Sequence, residues 1–528
     1  MNMNNDRIVG RCISVKINEW RKTMKRSQKI LACALALSTV ISVASCGNGN
    51  GGRADTTAGG NANAPAETTA ATTTTAATTT AVTNDTDAAV QDLASKTVVD
   101  NTLKPTKKIK WLCWWPIDET SAESELFKAN YGIPEEGSKA YGEEFADKIF
   151  VFNQVSYGDR YDALGKLVAS GDAPDMFPFE INYFPLSAYK GMFQSIDGII
   201  DTYSDDWKGT RDAMDQFMWG GKNYAPIIVE GLDSLWWYRK SVAEEAGLDD
   251  PYELYKNGEW TWDTMLDMAE KFKNSGENKY LTDGWYVQRS IVGTTGVPFV
   301  SLENGKLKNN IHDPNIERAM EVVAKFAHDA QGYGYPKNEA GWTLSYDKWA
   351  SGNILFMVDG QWVYDSNGDL DNVSKGATWD KAEDVMFVPA PRDPQADEYY
   401  QFFKTDPFML CVGAQNVEGY KAWINCNLIA SKDPEILAAS REKYKRDHSW
   451  TDEQLDLLDE LKTGGAVKGI YDFRKGISVE CWVDDGTSPV DKIVNEPYNN
   501  KDSVFSVLVE ENEGAINTAI DLLNASVS

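Results

Sequence analysis

The sequence has few of the residues that most often carry catalysis or metal binding. Its 528 residues include only three histidines, His312, His328 and His448. No histidine pair stands at a zinc-binding spacing, and no Ser/His/Asp set is recognisable. The G-x-x-x-x-G-K-[ST] loop that holds nucleotide phosphates is also missing. These absences argue against a zinc enzyme, a serine hydrolase and an ATPase, and we expect neither a metal nor a cofactor.

Cysteine is scarce as well. Beyond Cys46 the chain has only Cys113, Cys411, Cys426 and Cys481, and none of them forms a Cys-x-x-Cys pair. This pattern argues against a zinc ribbon and against a thioredoxin-like redox motif. We interpret the four residues as buried thiols, although an exported location leaves a disulfide open.

Positive charge is in deficit. The sequence contains 52 basic and 80 acidic residues, which gives a formal net charge of −28 at pH 7. A surface with this excess of negative charge repels nucleic acids and anionic lipid head groups. We therefore expect no nucleic-acid partner.

Long hydrophobic runs are absent apart from one N-terminal segment. A basic stretch at 21–29 precedes an uncharged run of apolar and small residues at 30–43, and Val-Ala-Ser-Cys closes the segment at Cys46. This order is typical of a secretory signal, and the run is shorter than the ~20 residues that a membrane helix needs. The closing four residues resemble a lipobox, the bacterial signal for attaching lipid to a cysteine. We predict a signal peptide over 1–45 and a lipid anchor on Cys46 at the extracellular or periplasmic side of the cell membrane; the alternative is an ordinary signal peptide with a chance cysteine.

The segment after Cys46 lacks aromatic residues and is low in complexity. Glycine and asparagine dominate at 47–52, and a Thr/Ala tract follows at 68–83. Such a composition buries too little apolar surface to offset the entropy of an ordered chain. We predict that residues 46–106 form a disordered tether and that the folded part begins near 107.

The remaining ~420 residues are too many for one compact core and suit two domains. Strand patterns at 108–113, 148–152 and 175–179 alternate with helical patterns, which indicates βαβ units with parallel strands. Thr261 is placed to cap a later helix. Three helices with one apolar face are predicted from side chains at helical spacing, namely Met265, Met268, Ala269 and Phe272; Ile316, Ala319, Met320 and Val323; and Tyr420, Trp423, Ile424 and Leu428.

Seven short motifs follow one another between about 107 and 430. They are G-D-A-P-D at 171–175, A-Y-K-G-M-F at 188–193, G-K-N-Y-A-P at 221–226, L-W-W-Y-R-K at 235–240, A-G-L through W-T-W-D at 246–263, S-G-N-I-L-F-M with G-Q-W at 351–362, and V-P-A-P at 388–391. In this order they resemble the bacterial extracellular solute-binding protein family typified by maltose-binding proteins. Two positions depart from the family pattern, since Arg239 replaces an asparagine and Trp260 replaces a proline. These departures bear on the ligand more than on the fold.

The resemblance implies a fold and a function. The fold is α/β, with the two lobes, hinge strands and interlobe ligand cleft of type II periplasmic-binding-protein-like receptors. We expect the first lobe to comprise 107–228 and 400–445, and the second to comprise 229–399 and 446–528. The implied function is that of a lipid-anchored receptor of an ABC importer, not an enzyme. Such a receptor acts as a monomer, captures a carbohydrate such as an oligosaccharide, and delivers it to the transmembrane permease subunits.

A sugar site combines aromatic rings that stack on pyranose faces with polar groups that bond hydroxyls. Ligands of open α/β sheets bind at the carboxyl ends of the strands. The resemblance adds a carboxylate at the first crossing between the lobes and the tryptophan of the G-x-W motif. The predicted ligand-binding residues are Trp114, Trp115 and Asp118 after the first strand; Glu180, Asn182 and Tyr183 after the third; Glu230 at the crossing; Trp362 in the G-x-W motif; and, on residue type alone, Trp237, Trp342 and Trp482.

Two other functions stay open at this point. An exported carbohydrate-active enzyme would need a carboxylate pair ~5–9.5 Å apart, and acidic residues are plentiful. A receptor for peptides or another polar solute would share the same fold. The 18 tryptophans and the lack of a conspicuous basic pocket favour a neutral sugar over a peptide or another polar solute; the carbohydrate-active enzyme stays open.

Overall fold

The computed structural model describes residues 79–135, 145–328, 334, 344–364, 381–463, 465–482 and 488–527. The predicted signal peptide, Cys46 and the first part of the predicted tether lie outside these residues. Across the described ranges, no helix combines the length and apolar character needed to cross a membrane.

A first sheet is built from the strands that the sequence predicts. β1 (Ile109–Cys113), β2 (Phe150–Gln154), β3 (Met176–Pro178) and the much later β12 (Phe408–Leu410) pair in the order β12-β3-β1-β2. β1 is parallel to both β2 and β3, while β12 is antiparallel to β3. The predicted strands and their parallel pairing are therefore confirmed. Because the strands are parallel, the carboxyl ends of β1, β2 and β3 meet at one edge of this sheet.

A second sheet forms the centre of the other lobe. β5 (Leu235–Arg239), β6 (Tyr280–Asp283), β9 (Ile354–Asp359) and β10 (Val385–Val388) pair in the order β10-β5-β9-β6. Every residue of β9 is buried, as expected for an inner strand covered on both faces.

Three short strands form a third sheet, which we call the crossing sheet: β4 (Glu230–Leu232), β11 (Tyr400–Thr405) and β13 (Lys468–Ile470). Along the chain β4 leads from the first lobe into β5, and β11 leads from β10 back to β12. The two lobes are thus connected by hydrogen-bonded strands. A separate hairpin of β7 (Val300–Glu303) and β8 (Lys306–Asn309) lies in the second half of the chain.

Helices cover the sheets. In chain order they are α1 (Thr79–Lys96), α2 (Ala122–Tyr131), α3 (Arg160–Ser170), α4 (Leu186–Tyr189), α5 (Arg211–Gln216), α6 (Lys240–Glu245), α7 (Pro251–Lys256), α8 (Trp262–Asn274), α9 (Val287–Gly293), α10 (Pro314–His328), α11 (Tyr346–Ala350), α12 (Lys381–Asp384), α13 (Val417–Ala430), α14 (Pro434–His448), α15 (Asp452–Thr463), α16 (Val479–Trp482), α17 (Pro489–Asn499) and α18 (Phe505–Ala525). Short 3₁₀ turns lie at Ile181–Tyr183, Asp205–Trp207 and Gln361–Val363.

The helices that the sequence predicts form for the expected reasons. Thr261 caps α8, because its side chain accepts a hydrogen bond from the Thr264 amide. Pro314 begins α10, where its fixed φ and missing N–H are tolerated. The apolar faces predicted for α8, α10 and α13 are all buried.

The structure corrects the predicted extent of the tether. Residues 79–96 form α1, and α1 packs against α2 and α14. Val90 and Ala94 are buried one turn apart on this helix, and Val99 and Leu103 are buried after it. The prediction of disorder as far as 106 is therefore wrong for this part, because average composition conceals two apolar side chains at helical spacing. We keep the predicted lobe boundaries as a proposal, with residues 79–103 added to the first lobe.

The cysteines behave as predicted. Cys113, Cys411, Cys426 and Cys481 are all buried thiols without a disulfide. Burial raises the pKa of Cys113 to about 12, so its thiol stays protonated and unreactive at neutral pH.

Candidate functional site

Aromatic side chains cluster where β1 and β2 end. Trp114 and Trp115 follow β1, and their rings meet edge to face with centroids 4.4 Å apart. Tyr157 follows β2 and meets Trp114 in the same manner at 5.1 Å. Trp115 and Tyr157 remain 42% and 46% exposed. The first lobe therefore presents accessible aromatic surface at the carboxyl edge of its sheet, where a ligand is expected.

A buried ion pair supports this cluster. Arg160, at the start of α3, donates from Nε to Glu180 Oε1 and from Nη2 to Oε2, both at 2.7 Å. The same guanidinium lies 3.5 Å from the centroid of the Tyr157 ring, and Tyr161 also donates to Glu180. Bidentate pairs of this kind fix geometry. Glu180 thus serves here to position Arg160 and, through it, Tyr157.

The second lobe presents aromatic rings of its own. Trp285 follows β6 and Trp362 follows β9, and they are 42% and 43% exposed. The Trp362 ring lies across Gly360, where a β-carbon added to the glycine would stand only 2.6 Å from Trp362 Cδ1. Gly360 has φ −67°, which any residue adopts, so the glycine is required for the space it leaves to the ring.

The second lobe also contains an arginine–carboxylate pair. Arg289 of α9 forms an ion pair with Asp233, which follows the crossing strand β4. Its guanidinium lies 3.8 Å from the centroid of the Tyr286 ring. Burial raises the pKa of Tyr286.

The crossing strand β4 carries the predicted carboxylate. Glu230 accepts a hydrogen bond from the Tyr471 hydroxyl, and burial raises the pKa of Glu230. Glu230 lines a cavity of about 460 Å³ together with Glu123, Phe408, Gln361 and Lys462. Its walls come from both lobes and from the crossing sheet, and its volume falls in the range of small-molecule sites.

The structure brings some predicted site residues together and separates others. Trp114, Trp115 and Glu180 belong to one cluster, and Trp362 belongs to the facing lobe. Asp118 is 59% exposed, and its carboxylate accepts from the amide and hydroxyl of Thr120. Asn182 is half-buried in the turn after β3.

Two predicted residues lie in the interior instead. The prediction for Trp237 is wrong: its side chain is fully buried on β5 and stacks on Tyr364 with centroids 5.0 Å apart. Tyr183 is buried and stacks on Tyr161 at 3.7 Å, so it supports the ion pair rather than facing the cleft. Trp342, Cys46 and the Trp482 side chain lie outside the described part of the chain.

Sequence reasoning missed Tyr157, Arg160, Asp233, Trp285 and the Tyr286–Arg289 pair. The available signal was the aromatic pair Trp285-Tyr286, which follows a short strand after one glycine and is similar to Trp114 and Trp115 after β1. Within the described residues, no group of three His, Cys, Asp or Glu side chains is placed to hold a metal ion.

The sequence matches the family model of bacterial extracellular solute-binding proteins over residues 125–426. This match covers more than half of the chain, so the chain belongs to the bacterial extracellular solute-binding protein family. A search of curated proteins found no match.

Solved structures show the same fold. The GacH receptor of Streptomyces glaucescens, solved unliganded and with acarbose, is 15% identical with a TM-score of 0.53, over 78% of this chain and 98% of that chain. The GL-BP of the Bifidobacterium longum ABC transporter, solved with lacto-N-biose, is 13% identical with a TM-score of 0.54, over 78% and 97%. UgpB from Mycobacterium tuberculosis, solved with glycerophosphocholine, is 12% identical with a TM-score of 0.53, over 79% and 99%. The predicted fold, α/β with two lobes of the type II periplasmic-binding-protein-like class, is confirmed.

Proposed function

We propose that this protein is the lipid-anchored receptor of an ABC importer and that it captures an oligosaccharide between its lobes. The observation that supports the proposal is the set of exposed rings that follow strands of the two lobe sheets. Trp115 and Tyr157 belong to the first lobe, and Trp285 and Trp362 belong to the second. A ligand that fills the cleft would meet aromatic faces from both sides.

The chemistry of these rings favours a sugar. Aromatic faces pack against the apolar faces of pyranose rings, and they also attract cations. A cationic solute would, however, meet guanidinium groups, because Arg160 lies over Tyr157 and Arg289 lies over Tyr286. A neutral ligand with many hydroxyls has no such repulsion. Asp233 and Arg289, which form an ion pair beside Tyr286, supply polar groups that can bond hydroxyls.

The crossing sheet supplies the mechanism of capture. A ligand that contacts both lobes stabilises the closed arrangement more than the open one, and this difference drives the hinge motion. The closed receptor would then dock on the transmembrane permease subunits. Such capture needs no chemical step, and the relatives named above are described as receptors or binding proteins.

Lipid attachment to Cys46 would keep the receptor at the membrane. Cys46→Ser should release the protein into the soluble fraction of cells, because the acyl chains would have no point of attachment. The matched control is Cys113→Ser, which alters a cysteine buried in the first lobe. If the Cys46→Ser protein stays in the membrane fraction as firmly as wild type, the anchoring proposal is wrong.

Calorimetric titration of residues 79–528 with mono- and oligosaccharides tests the proposed ligand. We expect one site per chain, tighter binding of oligosaccharides than of monosaccharides, and no change in the sugar on prolonged incubation. Release of shorter sugars would support the carbohydrate-active enzyme instead. Binding of peptides or glycerophosphodiesters, with no response to any sugar, would support a receptor for another polar solute.

A further inference from the structure

The loop at 360–364, which we call the Trp362 loop, is held at its beginning by two helices from a distant part of the chain. Gln361 Nε2 donates to the Tyr444 hydroxyl on α14 at 2.8 Å. Lys462 Nζ on α15 donates to Gln361 Oε1 at 3.1 Å. Both ends of the Gln361 amide are thus satisfied by α14 and α15, which together form a helical hairpin. Trp362 is the next residue, and its ring is 43% exposed.

The other end of the Trp362 loop is held by the same hairpin. Gln454 Nε2 of α15 donates to the Tyr364 hydroxyl at 3.3 Å, and that hydroxyl donates to the Ser449 carbonyl at 3.3 Å. The Tyr364 ring also meets Trp450 edge to face, with centroids 4.9 Å apart. The hairpin therefore fixes the residues on both sides of Trp362 and leaves its ring exposed.

The hairpin is itself attached to the second lobe. Gln454 Nε2 also donates to the Val385 carbonyl of β10 at 2.7 Å. Glu453 pairs with Lys240 at 2.8 Å, and Glu460 pairs with Lys256 at 3.0 Å. The Gln454 contact is buried and the two ion pairs are partly exposed, so the buried contact contributes most to this attachment.

The hairpin is attached to the first lobe as well. Arg446 of α14 pairs with Asp87 of α1 at 3.0 Å. Lys443, also on α14, lies 3.9 Å from Asp118, which follows β1. The hairpin also contacts the crossing sheet, because the Lys462 side chain covers Gly231 of β4. It therefore contacts both lobes, the crossing sheet and the Trp362 loop.

We propose that the hairpin of α14 and α15 is the positioning element of the ligand site. Tyr444 and Lys462 hold Gln361, and Gln361 sets the direction in which Trp362 enters the cleft. A binding site needs such support, because a stacking ring that moves freely loses conformational entropy when the ligand binds, and this loss lowers the affinity. Lys462 also lines the cavity beside Glu230, so hydrogen exchange measured without ligand is the readout that isolates the positioning role. The proposal rests on the proposed function only in assuming that the cleft holds the ligand.

The variants Tyr444→Phe and Lys462→Met test the proposal singly and together. Phenylalanine keeps the ring and removes the hydroxyl, while methionine keeps the packing over Gly231 and removes the ammonium. The matched control is Lys256→Met, which removes a different contact to the same helix α15, the ion pair with Glu460. The readouts are amide hydrogen exchange at 360–364, with β9 as internal reference, and the dissociation constant for the best-bound sugar.

In the double variant we expect exchange at 360–364 to become about tenfold faster, while exchange in β9 stays unchanged. The sugar Kd should rise about tenfold, and Lys256→Met should change neither readout. Unchanged exchange at 360–364 in the double variant would overturn the proposal, as would an equal change in the control. If wild type binds no sugar but exchange responds as expected, the positioning role stands and the proposed function fails.

Discussion

Replacing Trp362 by alanine should separate ligand binding from folding. The ring is 43% exposed, so about 100 Å² of it is available to a ligand, on the scale of a tryptophan side chain. At about 25 cal/mol per Å², the loss of this contact weakens sugar binding by about 2–3 kcal/mol, or roughly 30- to 150-fold. The covered part of the ring lies on Gly360, so the cost in folding stability should be only about 1–2 kcal/mol.

Trp237→Ala is the matched control for this prediction. Its indole is fully buried against Tyr364, Phe387 and Trp450, so the substitution should destabilise the fold by about 3–5 kcal/mol. Both variants are measured by urea unfolding and by calorimetric titration with the best-bound sugar. The reasoning is refuted if Trp362→Ala lowers stability as much as Trp237→Ala while its sugar affinity stays at the wild-type value.

Two further substitutions and one truncation follow from the structure. Gly360→Ala should weaken sugar binding about tenfold with little loss of stability, because the new methyl group displaces the Trp362 ring. The control is Gly158→Ala, which should leave the sugar affinity unchanged because nothing lies within 4 Å of the added carbon. A chain that starts at residue 107 should have a free energy of unfolding about 2–4 kcal/mol lower than a chain that starts at 79, because it lacks the buried apolar side chains of α1 and of the segment after it. Equal urea midpoints for the two chains would contradict this prediction. Glu230→Gln should raise Tm at pH 7. Burial raises the pKa of Glu230 in the folded protein, so the charged carboxylate destabilises the fold once the pH exceeds the pKa of Glu230 in the unfolded chain. The gain in Tm should fade near pH 4, where Glu230 is protonated in both states, and an equal gain at both pH values would contradict the prediction.

Sequence patterns predicted the fold well and the site only in part. Strand order along the chain and the G-x-W motif were enough to predict that Trp362 follows a strand of the second lobe and stays exposed there; its contact with a ligand stays a prediction. Residue type alone misplaced Trp237, because β5 is an inner strand that is buried on both faces, and the residue type of a tryptophan does not show this. Trp285 was missed because β6 (Tyr280–Asp283) is only four residues long and has no apolar alternation to reveal it.

The remaining omissions concern contacts between distant segments. Arg160 and Glu180 stand 20 positions apart, and Gln361 and Tyr444 stand 83 apart. Each such pair is defined by the packing of several elements rather than by a motif. The sequence analysis predicted disorder where α1 forms, for a related reason. Two apolar side chains, Val90 and Ala94, are too few to indicate a helix in a Thr/Ala-rich stretch. Their burial depends on α2 and α14, which lie elsewhere in the chain.

A single ligand, on the proposal made above, binds between aromatic faces that belong to different lobes. Calorimetric titration of wild type, Trp115→Ala and Trp362→Ala with the same oligosaccharide tests this most directly, because the two rings lie on opposite lobes. We predict one site per chain in wild type and a loss of at least about tenfold in affinity for each variant. Wild-type affinity in either variant would show that its lobe does not contribute a stacking face, and the claim of an interlobe aromatic site would then be wrong.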